Sequence, residues 1–181
     1  MLQIEVPAGE LWDSRNNRFI QIKKPVVLTL EHSLVSLSKW EAKWCKPFLV
    51  KDPPKTNEET IDYIRCMTLT QNVDPNMYLN LSEENLEKIR SYIEAPMTAT
   101  TINSRDSSHN REIITSELIY YWMTALNIPW EAQKWHLNRL LMLINVCNVK
   151  NKPPKKMSAN QLMSRNASLN AARRKRLNSK G

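Results

Sequence analysis

The chain has 181 residues, 41% hydrophobic and 24% charged, with a formal net charge of +8, which suits one domain with an appendage and is long enough for a real core. Two glycines are too few for a phosphate-cradling loop or a dinucleotide fingerprint, both of which need glycine for close backbone approach. Cys45, Cys66 and Cys147, odd in number and widely spaced, argue against a disulfide framework or a zinc knuckle and favour a reducing compartment.

The charge is unevenly placed. Residues 150–181 hold ten Lys or Arg and no acid, so residues 1–149 hold 16 bases against all 18 acids, a balance of −2. The body is near neutral and the tail alone makes the protein basic. Such a tail stays solvated or contacts something anionic. MLQIEVPAGE lacks the basic start and apolar run of a signal peptide, and no 18-residue apolar segment follows. The expectation is a soluble, intracellular protein without membrane contact.

In chain order, residues 1–30 read as two to four short antiparallel strands. Leu2, Ile4 and Val6 alternate with polar residues, Pro7-Ala8-Gly9 marks a turn, and Ser14-Arg15-Asn16-Asn17 suits a tight hairpin because Asn tolerates positive φ. Val26, Leu28 and Leu30 alternate again. A sheet this small must lie against helices or another subunit. From about Glu31 the period becomes helical, and Leu34, Leu37, Trp40 and Trp44 share a face until Pro47.

Thr56-Asn-Glu-Glu59 matches a capping box, in which hydroxyl and carboxylate satisfy each other's backbone N–H groups, and predicts a helix to about Leu69. Ser82-Glu-Glu opens a third helix, carrying Leu86, Ile89, Tyr92 and Ile93 to Pro96. Residues 97–110 offer almost nothing to bury; the expectation is a loop mobile in isolation and ordered on assembly.

Residues 112–149 read as a helical hairpin and the core of the domain, capped by Asn110. Ile114, Leu118, Tyr121, Trp122 and Ala125 line one face. Asn127-Ile128-Pro129 interrupts the helix, since proline has no N–H for a helix interior but suits a first turn. Leu137, Leu140, Leu141, Ile144 and Cys147 then form a wide apolar face, which Met142, Leu143 and Val146 broaden further. Beyond the stiff Lys152-Pro-Pro-Lys-Lys156 linker, Ser158-Ala-Asn-Gln161 is a second capping-box match. It opens a short helix with a thin apolar stripe, expected to fray without a partner.

No pattern of catalytic residues stands out. His32, His109 and His136 have no metal-ligand spacing, Cys66 and Cys147 sit in helical stretches as small apolar residues, and Glu58-Glu59 and Glu83-Glu84 suit helix starts. The reading is of a protein that is not an enzyme and takes no cofactor or metal. Nucleic-acid binding is the stronger rival: Arg165, Arg173, Arg174, Lys175 and Arg176 could meet an anionic partner, in salt-sensitive and sequence-blind fashion. A solvated tail is weighed above nucleic acid, with an acidic protein partner as the third option.

HSLVSLSKWEAKWCKPFL (32–49), ETIDYIRCMTL (59–69), REIITSELIYYWM (111–123), KWHLNRLLMLINVC (134–147) and RNASLNAARRKRLNSKG (165–181) resemble a family of small proteins from the tail genes of tailed bacteriophages, for which the closest functional label is tail assembly chaperone. The resemblance covers nearly the whole chain and consists of packing patterns rather than chemical signatures. It implies a protein of the infected bacterial cytoplasm, absent from the finished virion. Such a protein binds the helical tape measure protein while tail tube subunits polymerise around it. Members often come as a short form and a frameshifted long form. Trp40, Trp44, Trp122, Trp130 and Trp135 are the candidates for partner contact, with core packing the favoured alternative for each. A virion component, such as a tail or head–tail connector protein whose N-terminal strands extend a neighbour's sheet, is the rival reading. Homo-oligomerisation stays open. The expected architecture is α+β, mainly α: a helical domain with a small N-terminal antiparallel sheet over residues 1–149, and a basic tail over 150–181.

Overall fold

In a computed structural model, residues 1–13, 17–22, 24–101, 112–151 and 158–179 are described. The fold is α+β and mainly helical, as expected, with two units, Met1–Asn148 and Val149–Gly181. The first unit opens with β1 (Leu2–Val6), β2 (Gly9–Asp13), β3 (Arg18–Ile22) and β4 (Val26–Leu30). β1 pairs antiparallel with β4, Ile4 opposite Leu28, and the β2–β3 hairpin is nested between them in sequence as a separate two-stranded ladder. Period-two alternation sends Ile4, Val6, Leu28 and Leu30 inward. Gly9 begins β2 rather than completing a turn. A Cβ there would meet the Asn80 side-chain amide at 3.2 Å, and that amide donates to the Pro7 carbonyl. The turn expected at Ser14–Asn16 lies outside the described residues; the adjoining Asn17 has φ 54°.

Helix α1 (Leu34–Trp44) begins at a Ser33–Ser36 capping box. Helix α2 (Asn57–Met67) begins at the Thr56–Glu59 box read from the sequence, with Thr56 N–H to Glu59 Oε2 at 2.8 Å and Glu59 N–H to Thr56 Oγ1 at 3.2 Å. A 3-10 turn, Pro75–Asn80, leads to α3 (Glu83–Glu94), capped by Ser82. Then come α4 (Ser116–Ala125), a second 3-10 turn (Trp130–Lys134) and α5 (Leu137–Asn151). The described cap of α4 is Thr115; Asn110 and most of the polar loop, residues 102–111, lie outside the described residues.

The hairpin is not the sole core. One apolar cluster lies between the β1–β4 ladder, α2, α3 and Trp40 of α1, and a second lies between Leu34 and Leu37 of α1, α4 and α5. Helix α1 therefore serves both, and Phe48 packs against both. Two expectations for the hairpin are corrected. The buried face of α4 is Ser116, Ile119 and Met123, and Tyr121, expected inside, is 66% exposed. Apolar side chains surround most of this helix, so periodicity could not choose the face; a backbone bond does, with Ser116 N–H donating to buried Glu41 Oε2 at 2.7 Å. Helix α5 starts at Leu137 rather than directly after Pro129. His136 forms an antiparallel bridge with Ser33, and Leu137 N–H donates to the His32 carbonyl at 2.7 Å. These bonds hold the residue before the helix extended.

In the second unit, α6 (Ala159–Leu177) has the Ser158–Gln161 capping box, ends at Asn178 in the left-handed conformation, and buries no residue. Lys152–Lys156 of the expected linker lie outside the described residues. No described helix is long and apolar enough to cross a membrane.

Candidate protein-interaction surface

Where the two apolar clusters meet, the buried groups are polar and mutually satisfied. His32 Nδ1 lies 2.6 Å from the Tyr63 hydroxyl, and the His32 and His136 rings stand edge-to-face with centroids 5.1 Å apart. Asn138 N–H points to His136 Nδ1 at 3.3 Å, so His136 carries its proton on Nε2 and donates it to the Tyr92 carbonyl at 2.9 Å. The Tyr92 hydroxyl donates to Glu31 Oε1 at 2.7 Å, and the amino group of Met1 pairs with Glu31 Oε2 at 3.1 Å. Burial, reinforced by neighbouring His136, pushes the pKa of His32 down to about 3; burial also lowers that of His136 against the opposing pull of its Tyr92 bond. Both imidazoles are therefore neutral near pH 7. Burial drives the Tyr63 hydroxyl far above its ordinary range, and burial with the Glu31 carboxylate does the same for Tyr92. These groups act as fixed hydrogen-bonding partners between the clusters.

A cavity of about 330 Å³ adjoins this seam, lined in part by Glu31, Ser36, Lys39, Cys66 and Lys134. Burial and the Asp62 charge push the Cys66 thiol up, opposite to the activation a nucleophile needs. Among the described residues no group of three or more His, Cys, Asp or Glu could hold a metal ion.

The five tryptophan candidates separate by environment. Trp40 is 1% exposed and donates from Nε1 to the Glu59 carbonyl at 2.9 Å; it is core, not a contact residue. Trp44 is half-buried, stacks on Trp40 at 6.1 Å and donates to Asp62 Oδ2, leaving its indole N–H already used. Burial alone would raise the Asp62 pKa, but hydrogen bonds from Lys43 and Trp44 more than offset it and hold the carboxyl below its usual range. Lys46 and the Thr56 N–H hold Glu59 low in the same way. Trp122 is half-buried against the second cluster. Trp130 and Trp135 face outward.

Trp130 (55% exposed) and Trp135 (38% exposed) stand on and beside the second 3-10 turn, with exposed Tyr121 on α4. The rings of Trp130 and Tyr120 are 5.7 Å apart, and the Tyr120 hydroxyl donates to Gln133 Oε1 at 3.0 Å, so the turn is tied to α4. The Arg139 guanidinium lies 4.5 Å over the Trp135 ring, a cation–π contact. Helix α5 fully buries only Leu137, Leu140 and Ile144; Leu141, Met142, Leu143, Val146 and Cys147 remain half-covered. The result is a rigid helical frame with amphipathic aromatic groups outward, able to bury apolar side chains of a partner. Covering the exposed part of one such ring contributes roughly 2 kcal/mol at ~25 cal/mol per Å². Sequence reasoning missed Tyr121 by assigning it to the core, and paired Tyr-Tyr-Trp at 120–122 was the only hint that one ring must face out.

Arg165, Arg173, Arg174, Lys175 and Arg176 all lie on exposed α6, in the second unit. The outer edge of β4, a candidate for extending a neighbour's sheet, is taken by the chain itself: Leu69 N–H donates to the Thr29 carbonyl and Glu31 N–H to the Met67 carbonyl. Comparison with family models, with curated proteins and with solved structures finds no match.

Proposed function

We propose that this protein is a non-enzymatic phage tail assembly chaperone. It acts in the host bacterial cytoplasm, binds the tape measure protein during tail morphogenesis, and leaves before the virion is complete. The supporting observation is the outward-facing set Tyr121, Trp130 and Trp135 beside the half-covered flank of α5. A tape measure helix exposes long apolar stripes that aggregate unless covered, and helix-in-groove packing against rigid aromatic groups is a fitting way to cover them. The resemblance carried by residues 32–49, 59–69, 111–123, 134–147 and 165–181 points the same way. The self-occupied edge of β4 weighs against the rival of a virion protein that lengthens a neighbour's sheet.

The test is co-expression with the tape measure protein of the same phage, followed by co-purification and by mass spectrometry of purified virions. The expected result is a soluble complex lost in the Tyr121→Ser/Trp130→Ser double variant, and no stoichiometric copy in virions. Stoichiometric presence in virions would sink the proposal.

A further inference from the structure

We propose that α6 is a duplex-DNA-binding helix, seated in the major groove and held by phosphate contacts on both groove walls. This does not rest on the chaperone reading. The helix spans 19 residues, Ala159–Leu177, and buries none of them. Residues 150–181 contain no Asp or Glu, so Arg173, Arg174, Lys175 and Arg176 have no acidic side chain within that segment to offset their charge.

The arrangement of the cations selects the ligand. Successive helix positions turn by about 100°, so Arg173, Arg174, Lys175 and Arg176 encircle the last turn instead of lining one stripe. A flat acidic protein surface would meet only part of such a ring. A helix lying in a groove has phosphates on both sides, and a ring of cations meets both. Arg165 stands eleven residues before Arg176, which places it on the same side of the helix roughly three turns away. The positive charge therefore runs along the helix as well as around its end.

Size agrees with this assignment. A helix of about 10–12 Å diameter enters the major groove of B-DNA, about 12 Å wide, whereas the major groove of A-form RNA is too narrow for side chains to read. The amides of Asn166 and Asn170 on the same helix could reach base edges. Energetics also favour a polyanion. Four adjacent cations repel one another, including the i,i+3 pair Arg173 and Arg176, and the negative end of the helix dipole offsets only part of this. In proteins most helical stability comes from packing an apolar face, and α6 buries none of its residues; phosphates remove the repulsion and stabilise it.

The experiment is fluorescence anisotropy of the full-length protein with a labelled duplex of about 30 base pairs, titrated at several salt concentrations. Five engaged helix charges give a log–log salt slope near −4.5, so affinity should fall about 500-fold between about 50 and 200 mM salt. The variant Arg173→Gln/Arg174→Gln/Lys175→Gln/Arg176→Gln keeps good helix formers and should flatten the slope by about 3.5. Its circular dichroism should match the native protein, because none of these side chains is buried. Three results would each overturn the proposal. The first is no salt-dependent binding, or binding unchanged in the variant. The second is duplex RNA bound as tightly as DNA, and the third is polyglutamate bound as tightly, which would point to an acidic polypeptide instead.

Discussion

The two apolar clusters of the first unit share helix α1 yet are closed differently. The one beneath the sheet is walled by the β1–β4 ladder, α2 and α3, and its rim is pinned by ion pairs, Lys43 to Asp62 and Lys46 to Glu59, each at 2.5 Å. The one between α1, α4 and α5 has no sheet. Its outer wall is a row of half-covered α5 side chains and the exposed rings of Tyr121 and Trp130. A single helix can thus complete a closed core with Trp40 on one side and support an open one with Leu34 and Leu37 on another. Closure gives stability, and incomplete closure leaves surface for a partner.

The largest expected effect breaks the open cluster. Leu140 is fully buried, and Leu140→Asp places an unpaired charge there, costing several kcal/mol. Urea denaturation should show loss of cooperative unfolding or insoluble protein; a native-like midpoint would mean the second cluster is not a core at all.

Next in size is the polar seam joining the clusters. A histidine whose folded pKa lies below its unfolded value binds fewer protons when folded. The contribution of His32 is therefore complete above about pH 6.5 and is lost as pH falls toward about 3, on the order of a few kcal/mol over the whole window. Glu59 and Asp62, also held low, lose their stabilisation in the same direction, but only from the ordinary carboxylate values of 4.5 and 3.8 downward. The slope between pH 6.5 and 5 therefore belongs mainly to the histidines. Denaturant midpoints measured across this range should fall with acidification, and His32→Asn, which keeps an acceptor for the Tyr63 hydroxyl, should flatten the fall.

A smaller effect sharpens the account of the closed cluster. Thr56→Ala removes one half of the α2 capping box and should cost about 1 kcal/mol, read as a lowered denaturation midpoint with unchanged slope. Smallest is Tyr121→Ser, at an exposed site, which should leave stability within about 0.5 kcal/mol. If it instead destabilised the fold by several kcal/mol, Tyr121 would be core and the open face would be closed in solution.

Much of the local structure was legible because its causes are local. The Thr56–Glu59 and Ser158–Gln161 boxes and the Ser82 cap each read directly from a few adjacent residues. Asn17, Asn72, Asn127 and Asn178 take positive φ where the chain turns, as a short amide side chain permits. The candidate surface was legible only in part. Trp130 and Trp135 stood among the five tryptophans named from sequence, but so did Trp40, and nothing in residue type separates a ring whose N–H finds a carbonyl 19 positions away from one that faces water.

By itself the sequence determined the class of fold, the alternation of the strands, the starts of α2, α3 and α6 and the confinement of the net positive charge to the tail. Each is set by neighbours within a turn of helix or a pleat of strand, or by composition alone. Tertiary structure decided the rotation of α4, the late start of α5 and the division of one expected core into two. Those outcomes depend on bonds between residues far apart in the chain, Glu41 to Ser116 and His32 to Leu137. A helix apolar around most of its circumference has no preferred face until such a bond, made once the chain has folded back on itself, selects one.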